Sequence, residues 1–323
     1  MSNYTSINKL AEELNRLNIP IDDNFEELIP LLELMEKVNP CNQEYELSDN
    51  CLVMYYSLKL NLFNFKNILP FRAKVQIIGL PVSVCLKGYF GDNNNVEKII
   101  NTRKGLKILL NADFPFKRAA KTLSSFVFEN KFISFEEYLN SLRSPYRRRI
   151  NQALKHRNEI IIRKLSKHEF SLKHYDLYLS IMKRTDNPLE TLSAEFFKEY
   201  DAELYEFVDK ETYEILGFIQ IKEIKNKLYF LFGGFRKDDV AKYDIYYNML
   251  LKIIEIGIEK QVTEIEFGQT AEESKLKIGC IEKYKYMYVH HSNLIFNFFL
   301  QKLVPCFSYK PYTVRHHAFK AEG

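Results

Sequence analysis

Two hydrophobic periods share this chain. Over residues 1–40 apolar positions recur at helical spacing. The clearest case is NFEELIPLLELMEKV, with Asp23 or Asn24 available as a cap and Pro40 as a stop. β-formers then take over: CLVMYYSLKL at 51–60 predicts a strand, Ala73 to Gly79 a second, and Val82 to Phe90 a third. GDNNN at 91–95 predicts a turn into the helix VEKIINTRKG, and KILLNAD and SSFVFEN predict two more strands. From Ser134 the helical period returns, briefly in FEEYLNSL and then in SPYRRRINQALKHR. There Ser144 is placed to cap, Pro145 suits the first helical position, and Tyr146, Ile150, Ala153 and Leu154 form one apolar stripe. Residues 159–290 predict strand EIIIRKL, helices DLYLSIMKR and SAEFFKEY, and strands ELYEFVD, TYEILGFIQIKEI and KLYFLFGG, the last two joined by a tight turn at Lys225 and Asn226. Helix YDIYYNMLLKIIEIGIEK, strand TEIEF, helix AEESKLKIG and strand YKYMYVHH complete the run.

The 323 residues suit one large or two ordinary domains, and 46% hydrophobic content is enough to bury a core. No apolar run is long enough for a membrane span, and MSNYTSINKL lacks the basic head and apolar stretch of a secretory signal. Five scattered cysteines with no C-x-x-C pair predict reduced thiols and a cytoplasmic protein. Charge changes the picture more. Between Arg143 and Lys167 stand nine Lys or Arg and one acid, a local +8 in a chain of net +4, so the remainder carries −4.

FLFGGF before the long helix, FGQTAEESKLKIG after it and the upstream YRRRINQALK resemble the Fem-type branch of the GNAT acyltransferases, the tandem-GNAT proteins linked to peptidoglycan bridge formation. The resemblance is clearest over 134–292. It implies a mixed α/β, tandem GNAT-like acyl-CoA N-acyltransferase fold, with halves at 1–133 and 134–323, the second carrying the site and the basic helix. It also implies transfer of an acyl or aminoacyl group to an amine, on a cell-wall precursor or amino sugar.

In such folds the strand ending in Phe232, Gly233, Gly234 and Phe235 splays from its neighbour, and freed backbone N–H groups can grip the donor carbonyl. Glycine allows that close approach; a plain bulge or strand end is the competing reading. The next helix should aim its N-terminus at the gap, where an anion is favoured. Yet a coenzyme A-type loop, rich in glycine, is absent: the chain has RKDDVAKYD, with Asp238, Asp239 and Asp244 facing Arg236, Lys237 and Lys242. The resemblance implies acyl-CoA as one donor and, because Fem-type relatives that use aminoacyl-tRNA also lack a strict loop, aminoacyl-tRNA as the alternative.

A phenol suits protonation of the leaving atom, which points to Tyr243 or Tyr247, with Tyr246 in the core stripe. Glu266 suits a base on the amine. Gln269 and Thr270 end the short strand where a cleft would lie, although Thr270 also fits a capping box with Glu273. Lys275 either faces that cleft or lies in solvent. Arg147, Arg148 and Arg149 have two readings, phosphate contact on tRNA or a lipid-linked pyrophosphate, or a solvated bridging helix. The pairs His290–His291 and His316–His317 lack completing ligands, so no metal is expected. A silent protein that keeps the fold to bind a ligand or partner is the alternative function.

Overall fold

The computed structural model describes residues 2–17, 25–39, 41–48, 50–61, 72–82, 85–117, 119–184, 190–310 and 312–320. The expected cap at Asp23 or Asn24 and the stop at Pro40 lie outside these. Two compact units form, Met1–Ser124 with Tyr284–Pro311, and Ser125–Lys283 with Tyr312–Gly323.

The first unit is built on a mixed sheet. Its strands lie in the order Ser2–Tyr4, Glu44–Ser48, Cys51–Asn61, Arg72–Ile78, Leu106–Ala112, Tyr286–His291 and Ala120–Lys121, and Tyr89–Phe90 pairs with Cys51–Asn61. Of the strand expected over Val82 to Phe90, only Tyr89–Phe90 is extended among the described residues. The helix after the GDNNN turn runs Asn93–Thr102, capped by the Asp92 carboxylate, and buries Val96, Ile99 and Ile100.

The second unit has a seven-stranded sheet ordered Ile281–Lys283, Ser125–Glu129, Glu264–Glu266, Lys227–Phe235, Ile215–Ile224, Glu203–Asp209 and Ile160–Leu165. Lys225 and Asn226 both take positive φ, as a two-residue hairpin demands. The long helix Ile245–Glu259 buries ten of its residues, nine side chains and Gly257, with Ile253, Ile254, Leu228, Ile219 and Ile265 in a single cluster. The opposite face holds an aromatic set in which Phe197 packs on Phe170 at 5.0 Å and on Phe232 at 5.7 Å.

Two corrections concern the boundary. The cut falls after Ser124, not at 133/134, because Ser125–Glu129 pairs with Glu264–Glu266 inside the second sheet. The strand YKYMYVHH does not close the second unit. Tyr286–His291 pairs with Leu106–Ala112 in the first sheet, and the short strand Ile281–Lys283 takes the outer place beside Ser125–Glu129. Hydrophobic period is blind to this exchange, since either sheet satisfies the same alternation.

Gly234 shows how tightly the second unit closes. A Cβ there would lie 2.6 Å from the Tyr178 backbone nitrogen and 2.7 Å from the Leu177 carbonyl carbon, both in the helix Leu172–Met182. Backbone cannot step aside as a side-chain tip can. Gly234→Ala is expected to cost about 1–3 kcal/mol by urea unfolding, from overpacking alone. A loss below about 0.5 kcal/mol would mean that the helix can lift off the sheet.

Candidate functional site

The site grows from a fork in the second sheet. The strand Lys227–Phe235 runs parallel to Glu264–Glu266 for three rungs, Lys227 to Glu264, Leu228 to Ile265 and Tyr229 to Glu266, and there the ladder stops. On its other side the same strand stays paired with Ile215–Ile224 as far as Phe235 opposite Gly217, with a bulge at Leu231. From Phe230 onward, one edge of the glycine-bearing strand has no strand beside it among the described residues. The departing strand turns outward instead: Phe267 N–H donates to the Phe126 carbonyl, and Phe126 N–H to Gly268. Just past the last rung the Phe230 and Phe267 rings approach to 6.5 Å.

The expected residues around this fork have separate fates. Gly233 looks toward the long helix, where the Met249 methyl would meet a Cβ at 2.8 Å, whereas Gly234 is spent on the packing described above. Phe232 lies in the aromatic set, 5.7 Å from the Phe196 ring. The Phe235 carbonyl accepts from Ser180 Oγ and from the Arg184 guanidinium, both at 3.1 Å, and its ring tilts against Tyr246 at 5.4 Å.

RKDDVAKYD is no loop. Lys237–Tyr243 is a short helix, and Asp244, at φ +49, turns the chain into the long one. The Asp244 side chain bonds Arg149 and lies 3.9 Å from His156 Nε2. The anion expected at that helix start is thus a carboxylate of the chain itself. Arg149 also lies over the Tyr247 ring, 4.1 Å from its centre, so it clamps its helix Ser144–His156 to the long one. Arg148 is exposed and Arg147 half-buried. That helix begins at Ser144 with Arg143 as its N-cap, one residue before the expected start, and the stripe through Ile150 and Ala153 is buried.

Tyr243 is buried, its hydroxyl donating to Asp209 and accepting from Lys242. The Asp209 hydrogen bond raises the phenol's pKa, and the same bond with backbone N–H donors holds Asp209 below the usual range. Tyr247 keeps an exposed fraction at the start of the long helix. Glu266 stands on the last rung, and its Oε1 accepts the Gly268 N–H at 3.1 Å.

Two expectations at the end of that strand are corrected. Thr270 is exposed at φ +62 and Ala271 follows at φ +51. Ala271 is the residue preceding the helix Glu272–Lys277, and no side chain caps it. Lys275 is neither solvated nor open to a cleft. It is buried, and its ammonium donates to the carbonyls of Gly268 at 3.1 Å and Gln269 at 2.6 Å. That ammonium pins a turn in which two successive non-glycine residues are left-handed, a strained arrangement of the kind functional sites store. Cys280 lies beside it, its thiol pushed up by burial, which disfavours the thiolate.

One residue escaped the pattern. His316 Nδ1 lies 3.3 Å from the Tyr146 hydroxyl, Tyr312 stacks on its ring at 6.2 Å, and its Nε2 is buried without a hydrogen-bond partner among the described residues. The tail holds it there through Leu142 bridging Phe319 and Arg143 N–H donating to Ala318. The only signal in the sequence was a histidine pair far from the motif.

A cavity of about 450 Å³ sits elsewhere in this unit. Its polar wall is fully employed: Arg163 bridges Glu169 and Glu206, His174 Nε2 meets Glu206 at 2.9 Å, and His174 Nδ1 accepts the Ser171 N–H at the start of Leu172–Met182. Burial opposes ionisation of Glu206, yet the His174 and Arg163 hydrogen bonds hold its carboxyl below the usual range. This is a helix start tied to a sheet edge. Among the described residues no group of three His, Cys, Asp or Glu could hold a metal ion, and no helix is long and apolar enough to cross a membrane.

Arg149→Ala is expected to lower stability by about 1–3 kcal/mol, because it strands the largely buried Asp244 carboxylate. Arg148→Ala should stay within about 0.5 kcal/mol. Equal losses in urea melts would show that Arg149 is as dispensable to the fold as its exposed neighbour.

No protein-family model and no curated protein matches the sequence. Among solved structures, FemX is similar with a TM-score of 0.52 and 12% identity, over 94% of this chain and 100% of that one. L-PGS from Bacillus licheniformis gives 0.52 and 10%, over 85% and 96%. The C-terminal domain of a putative lysylphosphatidylglycerol synthetase from Agrobacterium fabrum gives 0.51 and 10%, over 80% and 87%. Identity this low speaks of architecture, and the chain has the mixed α/β, tandem GNAT-like fold that it shares with FemX and L-PGS.

Proposed function

We propose that the protein is an N-acyltransferase or aminoacyltransferase whose donor carbonyl sits in the fork beside Gly233. The observation that carries this is the ladder ending at Tyr229 and Glu266, which leaves the edge from Phe230 onward without a strand partner. Backbone N–H groups on such an edge suit a developing oxyanion, because they are fixed in place. An amine nitrogen attacks the carbonyl carbon, and the bond to the leaving sulfur or oxygen breaks as the amide forms. Glu266, on the last rung, takes the amine proton, and Tyr247 or water returns one to the leaving atom. Tyr243 is left out of this scheme, since Asp209 and Lys242 already engage its hydroxyl.

The donor favoured is an aminoacyl ester of the kind carried on tRNA. A helix stands where a coenzyme A loop would be, and the Asp244 carboxylate lies at the start of the next one, where a pyrophosphate would be repelled. Arg148 and Lys155, exposed on Ser144–His156, are left to meet phosphates. FemX and L-PGS share the fold, and a cell-wall precursor or amino sugar remains the acceptor class proposed on the resemblance.

Incubation of the full chain with labelled aminoacyl-tRNA and, separately, acetyl-CoA, over a panel of amines, tests the reading. Transfer from aminoacyl-tRNA is expected, with kcat reduced by about 10²–10⁴ in Glu266→Gln and the fold intact by circular dichroism. Binding of donor without transfer would point to a ligand-holding protein instead, and indifference to both donors would leave the fork without a catalytic role.

A further inference from the structure

In the first unit, the helix Leu294–Leu303 is turned inside out. Leu294 is 85% exposed, Ile295 68%, Phe296 65%, Phe299 58% and Phe298 55%. The residues that face the sheet include the polar ones. Asn297 Oδ1 accepts the His291 N–H at 3.0 Å, and Gln301 Nε2 donates to the Val289 carbonyl, both in the strand Tyr286–His291. Those two side chains also line a polar cavity of about 260 Å³ with Tyr288 and His290. Asn293 caps the helix by accepting from the Ile295 and Phe296 N–H groups. The orientation is therefore fastened by specific polar bonds, and rotating the apolar face inward would break them.

We propose that this helix is a docking element that lies on an anionic lipid surface, with its leucine, isoleucine and phenylalanine side chains in the acyl boundary. An amphipathic helix exposes its apolar face only where the medium outside is apolar. Ten residues span about 15 Å at 1.5 Å each, too short to cross a bilayer and long enough to lie on one. Charge selects the occupant. From Tyr284 to Pro311 the chain has Lys285, Lys302 and Lys310 and no Asp or Glu, and of these Lys285 is held by Asp113 at 2.7 Å. Lys302 and Lys310 are exposed, Lys302 with its ammonium 4.3 Å from the Phe298 ring centre. Exposed Lys104 precedes Gly105, whose carbonyl accepts the Ser292 N–H at the root of the helix. Anionic headgroups complement that set, whereas a second copy docked helix to helix would bring Lys302 against its own kind.

The test is sedimentation of the full chain with phosphatidylcholine vesicles, with and without phosphatidylglycerol. It needs neither donor nor acceptor, so its outcome is independent of the transfer reading. Wild type is expected to bind the anionic vesicles, less so as ionic strength rises, and to leave neutral ones largely in the supernatant. The double variant Phe298→Asp/Phe299→Asp should weaken partition by about a hundredfold or more. Lys302→Glu should weaken it about fivefold or more. All three side chains are exposed, so thermal melts should not move. Failure of wild type to bind anionic vesicles, or equal binding by the double variant, overturns the proposal. So does a wild-type dimer in sedimentation velocity that the double variant turns to monomer while neither binds vesicles.

Discussion

Everything at the candidate site depends on three rungs of parallel pairing. Lys227–Tyr229 and Glu264–Glu266 form just enough ladder to fix the spacing of the two strands, and then each follows its other neighbour. The glycine-bearing strand continues with Ile215–Ile224, and the short strand hands its next amide to Phe126. A longer shared ladder would close the open edge of the strand from Phe230 onward. Unpaired backbone groups are costly when buried, so an edge of this kind persists only if the surrounding packing enforces it. Here the enforcement is visible on both faces, in the ten buried residues of Ile245–Glu259 and in the helix backbone seated on Gly234.

Strain collects where the chain leaves the fork. Asp244 at the start of one helix, and Thr270 and Ala271 at the start of another, are non-glycine residues with positive φ. In each case a cation crosses back to hold the turn: Arg149 on the Asp244 carboxylate, and the Lys275 ammonium on the carbonyls of Gly268 and Gln269. Two charged side chains that a motif would assign to substrate are therefore occupied in keeping the fork's rim in shape. Glu266 and Tyr247, the groups proposed for the chemistry, stand beside that rim, on the last rung and at the start of the long helix.

This division explains what the sequence disclosed. Element type and order over 159–279 follow from period, because each face buries a continuous stripe, except for the short helix Lys237–Tyr243, which has too few residues to show one. The three-residue strand Ile281–Lys283 was missed for the same reason, and the glycine pair stood out by its place at a strand end. What packs against it was hidden: the neighbour of Gly234 is a helix backbone more than fifty positions earlier in the chain. Tyr243 engages Asp209 across 34 positions and Tyr146 meets His316 across 170, and no local spacing encodes either contact. Thr270 followed by Glu273 spells a capping box, but the turn is set by Lys275, whose burial its charge conceals. The transfer of Tyr286–His291 to the first sheet was equally silent, since alternation specifies a strand's two faces and not its neighbours.

The stretch LIFNFFLQKL carries the same lesson in reverse. By composition it is a core helix, and by the offset of Asn297 and Gln301 it is amphipathic, yet period cannot say which face looks inward. That is decided by the unpaired amide and carbonyl that a strand presents to the helix: the His291 N–H and the Val289 carbonyl require polar partners, and Asn297 and Gln301 supply them. Burying those two bonds forces the phenylalanines out. The backbone of one strand thus dictates the polarity of the surface above it, just as, in the other unit, the backbone of one helix dictates a glycine in the strand below.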